Sequence, residues 1–260
     1  MLKIRQSIFH VGRMLAHFII VVCLWTFICH FSGINAALLP TPAQVGNALV
    51  ELCRGGILLN DVSWSVRRAG FGLIIGGTTG LLMGLLTGRI KSLNWLFTPV
   101  FNGFRAMPPV AIVPLVVVWA GLGEPAKVFI TSWAAFFPVW LNTHAGVTSV
   151  DKVLIWAARS LGAKGVRLLF AITLPASLPQ ILIGFRLAIS SVLICVVVAE
   201  MTGAYIGLGY RLNSAYLVFR VDRMLACLVV LALLGILSDR LFVKMTNRVF
   251  PWIRLTHESR

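Results

Sequence analysis

Long stretches without a charged side chain constrain this sequence more than any other feature. Residues 14–31, 69–88, 106–123 and 128–150 hold no Asp, Glu, Lys or Arg. Residues 180–205 are interrupted only by Arg186 and Glu200, and 224–238 is a short uncharged run that Val221 and Phe242 extend into a span of 221–242. A helix needs ~20 mostly apolar residues to cross the bilayer core. The pattern therefore predicts an all-α polytopic membrane protein of about six transmembrane helices, with residues 1–260 forming a single transmembrane domain. Only 12% of the residues are charged and 58% are apolar, against roughly 25% charged in a soluble domain. Most connections between spans are too short for a separate soluble domain.

The net charge of +15, from 23 Lys and Arg against 8 Asp and Glu, would suggest nucleic acid in a soluble protein. Here the bases alternate with apolar runs and mark membrane sidedness. With the N-terminus placed inside, six spans return the C-terminus inside. The inner segments then hold 14 basic residues, among them Lys3, Arg5, Arg13, Arg89, Lys91, Arg254 and Arg260, and the outer segments hold 7: Arg54, Arg67, Arg68, Lys127, Arg211, Arg220 and Arg223. Both termini are thus expected in the cytoplasm, and no nucleic acid partner is expected. The first run is 18 residues, longer than the ~7–15 of a signal-peptide core, so it reads as an uncleaved first helix.

Several residues stand out. Gly72, Gly76, Gly80, Gly84 and Gly88 recur every fourth position along the second span and form one bare helix face, which lets another helix approach closely. In the segment RAMPPVAIVP, Pro108 and Pro109 suit a helix first turn, and Pro114 predicts a kink. Arg105 and Pro114 are candidates for lining a pathway. Glu200 is an acid within the membrane, a placement that is costly and usually faces a bundle interior or water. Its candidate partners are Arg67, Arg68, Arg211 and Arg220. Arg186 lies on the same span about 21 Å away, too far for a direct pair. It joins Arg105, Arg67 and Arg68 as an arginine that could attract an anion. His144 is alone in the fourth span and reads as a satisfied polar residue.

The cytoplasmic stretch 151–179 reads as a helix–turn–helix. Val153–Ser160 is amphipathic, Gly162 can end it, and a second helix is expected from Lys164 to Pro175. Lys152, Arg159, Lys164 and Arg167 surround it. Such a hairpin can dock a soluble partner.

Ala157, Ala158, Gly162, Ile172, Leu174 and Pro175 match E-A-A-x3-G-x9-I-x-L-P. This pattern resembles the EAA loop of binding-protein-dependent ABC importer permeases. Trp156 stands where the pattern has Glu. RAMPPVAIVPLVVVWAGLGEPAKVF, FFPVWLNTHAGV, LPASLPQILIGFRLAI and VVVAEMTG with IGLGY extend the resemblance from about Pro40 to the C-terminus, toward the nitrate, sulfonate and taurine branch and within it the aliphatic sulfonate permeases. The resemblance implies a type I importer in the bacterial inner membrane. Two copies of the permease would form a homodimer, joined by two cytoplasmic ATPase subunits and by a periplasmic or lipid-anchored substrate-binding protein. It also implies that the hairpin couples the ATPases to alternating access for a small anion.

The chain has no G-x-x-x-x-G-K-[ST] phosphate loop, so ATP and Mg would belong to the partner ATPase and no cofactor is expected here. No nucleophile–base pair or metal-ligand spacing is present, so no catalytic or metal site is expected and the chain does not read as an enzyme. The alternative is a self-contained secondary carrier with Glu200 as its ion-coupling site.

Overall fold

The computed structural model describes residues 19–31, 33, 35 and 37–253. The bases Lys3, Arg5, Arg13, Arg254 and Arg260 and residues 14–18 of the first expected span lie outside them. The described residues are helical throughout their regular structure: α1 (Ile19–Phe31), α2 (Pro42–Arg54), α3 (Ile57–Arg89), α4 (Lys91–Arg105), α5 (Pro109–Ala120), α6 (Glu124–Thr148), α7 (Lys152–Ser160), α8 (Gly165–Leu168), a π-helical turn (Leu169–Thr173), α9 (Leu174–Gly203), α10 (Leu208–Leu217) and α11 (Val221–Val249). They fall into two compact units. One takes residues up to Leu59 with Arg211–Val230, the other Asn60–Tyr210 with residues from Leu231 onward.

By length and composition three helices can cross a bilayer: α3, the continuous helical stretch Gly165–Gly203, and α11. α4 and α5 are long and apolar enough only as a pair, and they meet at 98°, the geometry of a broken span or of a re-entrant loop. This differs from the expected span 106–123 in two ways. α5 is only 12 residues, about 18 Å, and it crosses only together with α4, whose Lys91, Asn94 and Asn102 hide it from a reading of apolar runs. The sharp bend also falls at 106–108, whereas Pro114 lies inside α5. The cause is the proline pair: a residue before proline avoids the helical region, and Pro108 itself is extended at φ −59°, ψ 127° before Pro109 opens the helix.

In the first unit, α2 carries a capping box. The Thr41 hydroxyl accepts from the Gln44 N–H at 3.4 Å and the Thr41 N–H donates to Gln44 Oε1 at 2.8 Å, with Pro42 at the first helical position. Val45, Ala48 and Leu52 form its buried stripe. Glu51 on its outer face pairs with Arg223 at 2.6 Å, and Arg220 pairs with Asp222 at 2.7 Å.

The second unit is organised around α6. On one side lies the glycine face of α3: a methyl group on Gly80 would stand 2.6 Å from the Phe136 carbonyl oxygen and one on Gly88 2.8 Å from Val147 Cβ. At Gly72, Gly76 and Gly84 it would strike Thr131, Ser132 and Thr143. On the other side α9 brings Gly184 against Asn142 and the Pro138 carbonyl, and Gln180 Nε2 donates to Asn142 Oδ1 at 2.9 Å. Ala69, Ala135, Val139, Ala188 and Val192 fill the three-helix seam. A second core joins α5 to α6 and α9 through Val113, Val116, Ile130, Cys195 and Ala199. Being flanked on both sides beyond its exposed first turn, α6 carries Lys127, Asn142 and His144 and has the composition of a largely buried helix.

Candidate functional site: a coupling hairpin and a buried ion network

Two regions of the second unit concentrate the chemistry. The first is the hairpin. Asp151 caps α7, its Oδ1 accepting from the Val153 N–H at 2.8 Å. Gly162, at φ +84°, ends the helix in a Schellman turn. Its N–H donates to the Arg159 carbonyl at 2.9 Å and the Ala163 N–H to the Ala158 carbonyl at 3.0 Å. The left-handed backbone at 162 explains the need for glycine there. Ala158 is the buried residue of α7 and supplies the turn's outer acceptor. Ala157, Gly162 and Pro175 are exposed, while Ile172 and Leu174 are half-buried.

The second limb departs from the expected helix 164–175. It begins at Gly165, passes through the π turn and runs on past Pro175 into α9. The wider π turn, placed immediately before Pro175, absorbs the missing N–H and the ring bulk that would break a regular helix. Arg89, in the last turn of α3, donates to the Gly165 carbonyl and ties this limb to the bundle.

The second region surrounds Glu200, which is fully buried. Of its candidate partners, Arg68 holds it: Nη1 donates to Oε1 at 2.7 Å. The Ser65 hydroxyl lies 2.8 and 2.9 Å from the two carboxylate oxygens, and the Gly209 N–H donates to Oε2 at 2.8 Å. The opposite edge of the same guanidinium grips Glu124 with two bonds of 2.7 Å, while Nη1 also reaches the Ile206 carbonyl at 2.7 Å. Lys127 donates to Glu124 at 3.2 Å and to the Leu122 carbonyl at 3.0 Å. Asp61 accepts from the Gly207 N–H at 3.0 Å. Two cations thus face Glu124 and Glu200, and every charge in the set has hydrogen-bonded partners, the condition under which buried ions are tolerated. The turn 204–209 lies so close over the carboxylate that a methyl group on Gly207 or Gly209 would collide with Glu200 or the Val197 carbonyl.

The other candidates lie apart from these regions. Arg67 is exposed, its guanidinium 4.6 Å from the Trp64 ring centre. Arg105 ends α4 and is exposed, as is Pro114. Arg186 makes a two-pronged pair with Asp239 of α11 at 2.5 and 2.7 Å. His144 Nδ1 lies 3.1 Å from the Thr87 hydroxyl. The sequence did not single out Ser65, Asp61, Glu124, Lys127 or Asp239. The i, i+3 spacing of Glu124 and Lys127 was the available signal for that pair. A 570 Å³ groove in this unit, lined mostly by apolar residues such as Ile75, Phe101, Phe104 and Trp133, has no charged group on its wall.

Residues 76–250, which include the whole hairpin, match the family described as the inner membrane component of binding-protein-dependent transport systems. A putative ABC transporter permease protein of Methanocaldococcus jannaschii is 34% identical over 239 residues, covering 90% of this chain and 89% of the relative. A putative aliphatic sulfonates transport permease protein of Bacillus subtilis is 31% identical over 233 residues, covering 90% of this chain and 84% of the relative. In fold the chain is similar to a solved structure of a methionine ABC transporter in an inward-facing conformation, with a TM-score of 0.58 at 20% identity over 80% of this chain and 94% of that one. The chain is a multi-pass membrane protein and belongs to the family of binding-protein-dependent transport system inner membrane components.

Proposed function

We propose that this chain is the transmembrane subunit of an ATP-driven importer for a small organic sulfonate or a similar anion, such as taurine or nitrate. Two copies would form the pathway in the inner membrane, two ATPase subunits would dock on the hairpins from the cytoplasm, and a binding protein would deliver substrate. Hydrolysis of Mg-ATP in those partners would drive alternating access. The hairpin carries this reading: it projects a capped helix with exposed apolar and basic residues, it is tethered to α3 through Arg89, and it runs without a break into α9. A push on α7 can therefore reach two of the spanning helices. The aliphatic sulfonate relative supports the substrate class.

On this reading α6, at 25 residues and about 37 Å long, and the first helix complete six spans, with both termini inside. The orientation gains support from the buried network, because Arg68 and Lys127 are internal partners of carboxylates and no longer count as outer loop charges. Arg105, exposed beside the 98° break, is the pathway arginine we favour, with Pro114 nearby in sequence. Arg186 and Glu200 are engaged elsewhere. A secondary carrier is not favoured, since coupling an ion at Glu200 would require dismantling its bonds to Arg68, Ser65 and Gly209. The test is purification of the tagged chain in mild detergent from its own cell. An ABC-type ATPase should come with it and hydrolyse ATP faster when sulfonate-loaded binding protein is added. A chain that brings down no ATPase overturns the reading.

A further inference from the structure

The exposed side of α7 is unusual for a helix outside the bilayer. Ala158 faces inward and Ile155 is half-buried. On the opposite side Trp156, Val153, Ala157, Leu161 and Leu154 form a broad apolar arc, in which Trp156 is 61% and Leu161 88% exposed. Only Ser160 interrupts the arc. The polar residues of α7 are confined to Lys152, Arg159 and Ser160, and an apolar arc of this width on an amphipathic helix is a face that normally packs against something. The bundle covers one side of α7, so something else covers the other. On the helix surface Trp156 neighbours Lys152 and Arg159, four residues before and three after, and its indole has no ring or hydrogen-bond partner among the described residues.

We propose that Trp156 is the central anchor of the contact with the ATPase, filling an apolar pocket whose rim presents carboxylates to Lys152 and Arg159. This rests on the importer reading above and adds what the partner's groove must look like. Binding energy concentrates in a few central aromatic or arginine side chains ringed by polar contacts, and a tryptophan can bury 150–250 Å². Charge complementarity points the same way: residues 151–175 carry Asp151 against Lys152, Arg159, Lys164 and Arg167. The acid that the family pattern places at this position would instead require a cationic pocket. The substitution therefore changes which ATPase groove can be engaged.

The test uses the permease in lipid nanodiscs and the ATPase subunit copurified with it, with affinity read by surface binding at fixed salt. Trp156→Ala should weaken binding by about 30-fold, and Trp156→Phe should retain most of it. Trp156→Glu, which restores the pattern's acid, should bind as poorly as the alanine variant. With the side chain mostly outside the bundle, all three should leave membrane level and Tm unchanged. Alanine and glutamate variants that bind within twofold of the unaltered protein overturn the proposal and leave the ring to a lipid headgroup layer. A glutamate variant that binds tighter overturns it in favour of a cationic groove. If the unaltered chain binds no ATPase, the importer reading falls together with this one; failure of the anchor alone leaves the importer reading intact.

Discussion

The buried ion network and the coupling hairpin solve opposite problems with similar residues. Around Glu200 the charges other than the half-exposed Glu124 are internal, and each is paired before any partner arrives. On the hairpin most charges and apolar side chains point outward, and what holds the turn, apart from the Asp151 cap, is backbone: a left-handed glycine and two Schellman bonds. The network makes three helices and the 204–209 turn behave as one piece. The hairpin keeps its own shape with little from its side chains, which leaves them available for docking. Stability and coupling should accordingly be separable by mutation.

The largest effect should come from the network. Arg68→Ala leaves Glu200 buried with no cation and should cost about 3–5 kcal/mol, seen as a large fall in Tm in detergent. Arg68→Lys keeps the charge but loses the two-edged grip, and should recover only part of it. If Arg68→Ala melts like the unaltered protein, the network is not what fastens these helices. Next comes the bare face of α3. Gly80→Val places a branched side chain against the Phe136 carbonyl oxygen, where a single methyl would already stand 2.6 Å away. Overpacking of this kind costs about 1–3 kcal/mol, and Tm should fall by less than for Arg68→Ala. Gly70, where a methyl group would meet nothing within 4 Å, is the control position.

The two regions also differ in how far the sequence reveals them. The hairpin is local: cap, turn glycine and proline lie within twenty-five residues, so spacing alone locates them. Only the continuation through Pro175 was hidden, because a π turn leaves no composition signal. The network is half hidden. Glu200 stands out as an acid in an apolar run, but choosing Arg68 from four arginines depends on how α3 packs 132 positions away. Lys127 passes for a loop charge because it follows Gly121 and Gly123, and Asp61 and Ser65 show no pattern until the 204–209 turn folds over them. The bent pair α4 and α5 escaped for a related reason. Polar residues are tolerated in α4, and the bend comes from a proline pair that, read alone, marks only the start of a helix.

A smaller effect is expected at the hairpin turn. Gly162→Ala forces a side chain into the left-handed region, at about 1–2 kcal/mol. The penalty should stay local: Tm should barely move, while hydrogen exchange at residues 158–163 accelerates and ATPase affinity drops. A fall in Tm as large as that of Arg68→Ala would mean that the hairpin is part of the same cooperative unit, and the proposed separation would fail.

The smallest effect tests whether burial or mere pairing sets the scale. Arg186 and Asp239 are joined by two bonds of 2.5 and 2.7 Å, but their side chains are 25% and 39% exposed, against 5% and 0% for Arg68 and Glu200, which share a single bond of 2.7 Å. Exposed pairs are screened and typically contribute about 0.2–1 kcal/mol. Double-mutant cycles on Tm should therefore give a coupling for Arg186→Ala with Asp239→Ala several times smaller than for Arg68→Ala with Glu200→Ala. Equal couplings would show that the surroundings of α9 and α11 are as dry as those of Glu200. The contrast would then lie between paired and unpaired charges rather than between buried and exposed ones.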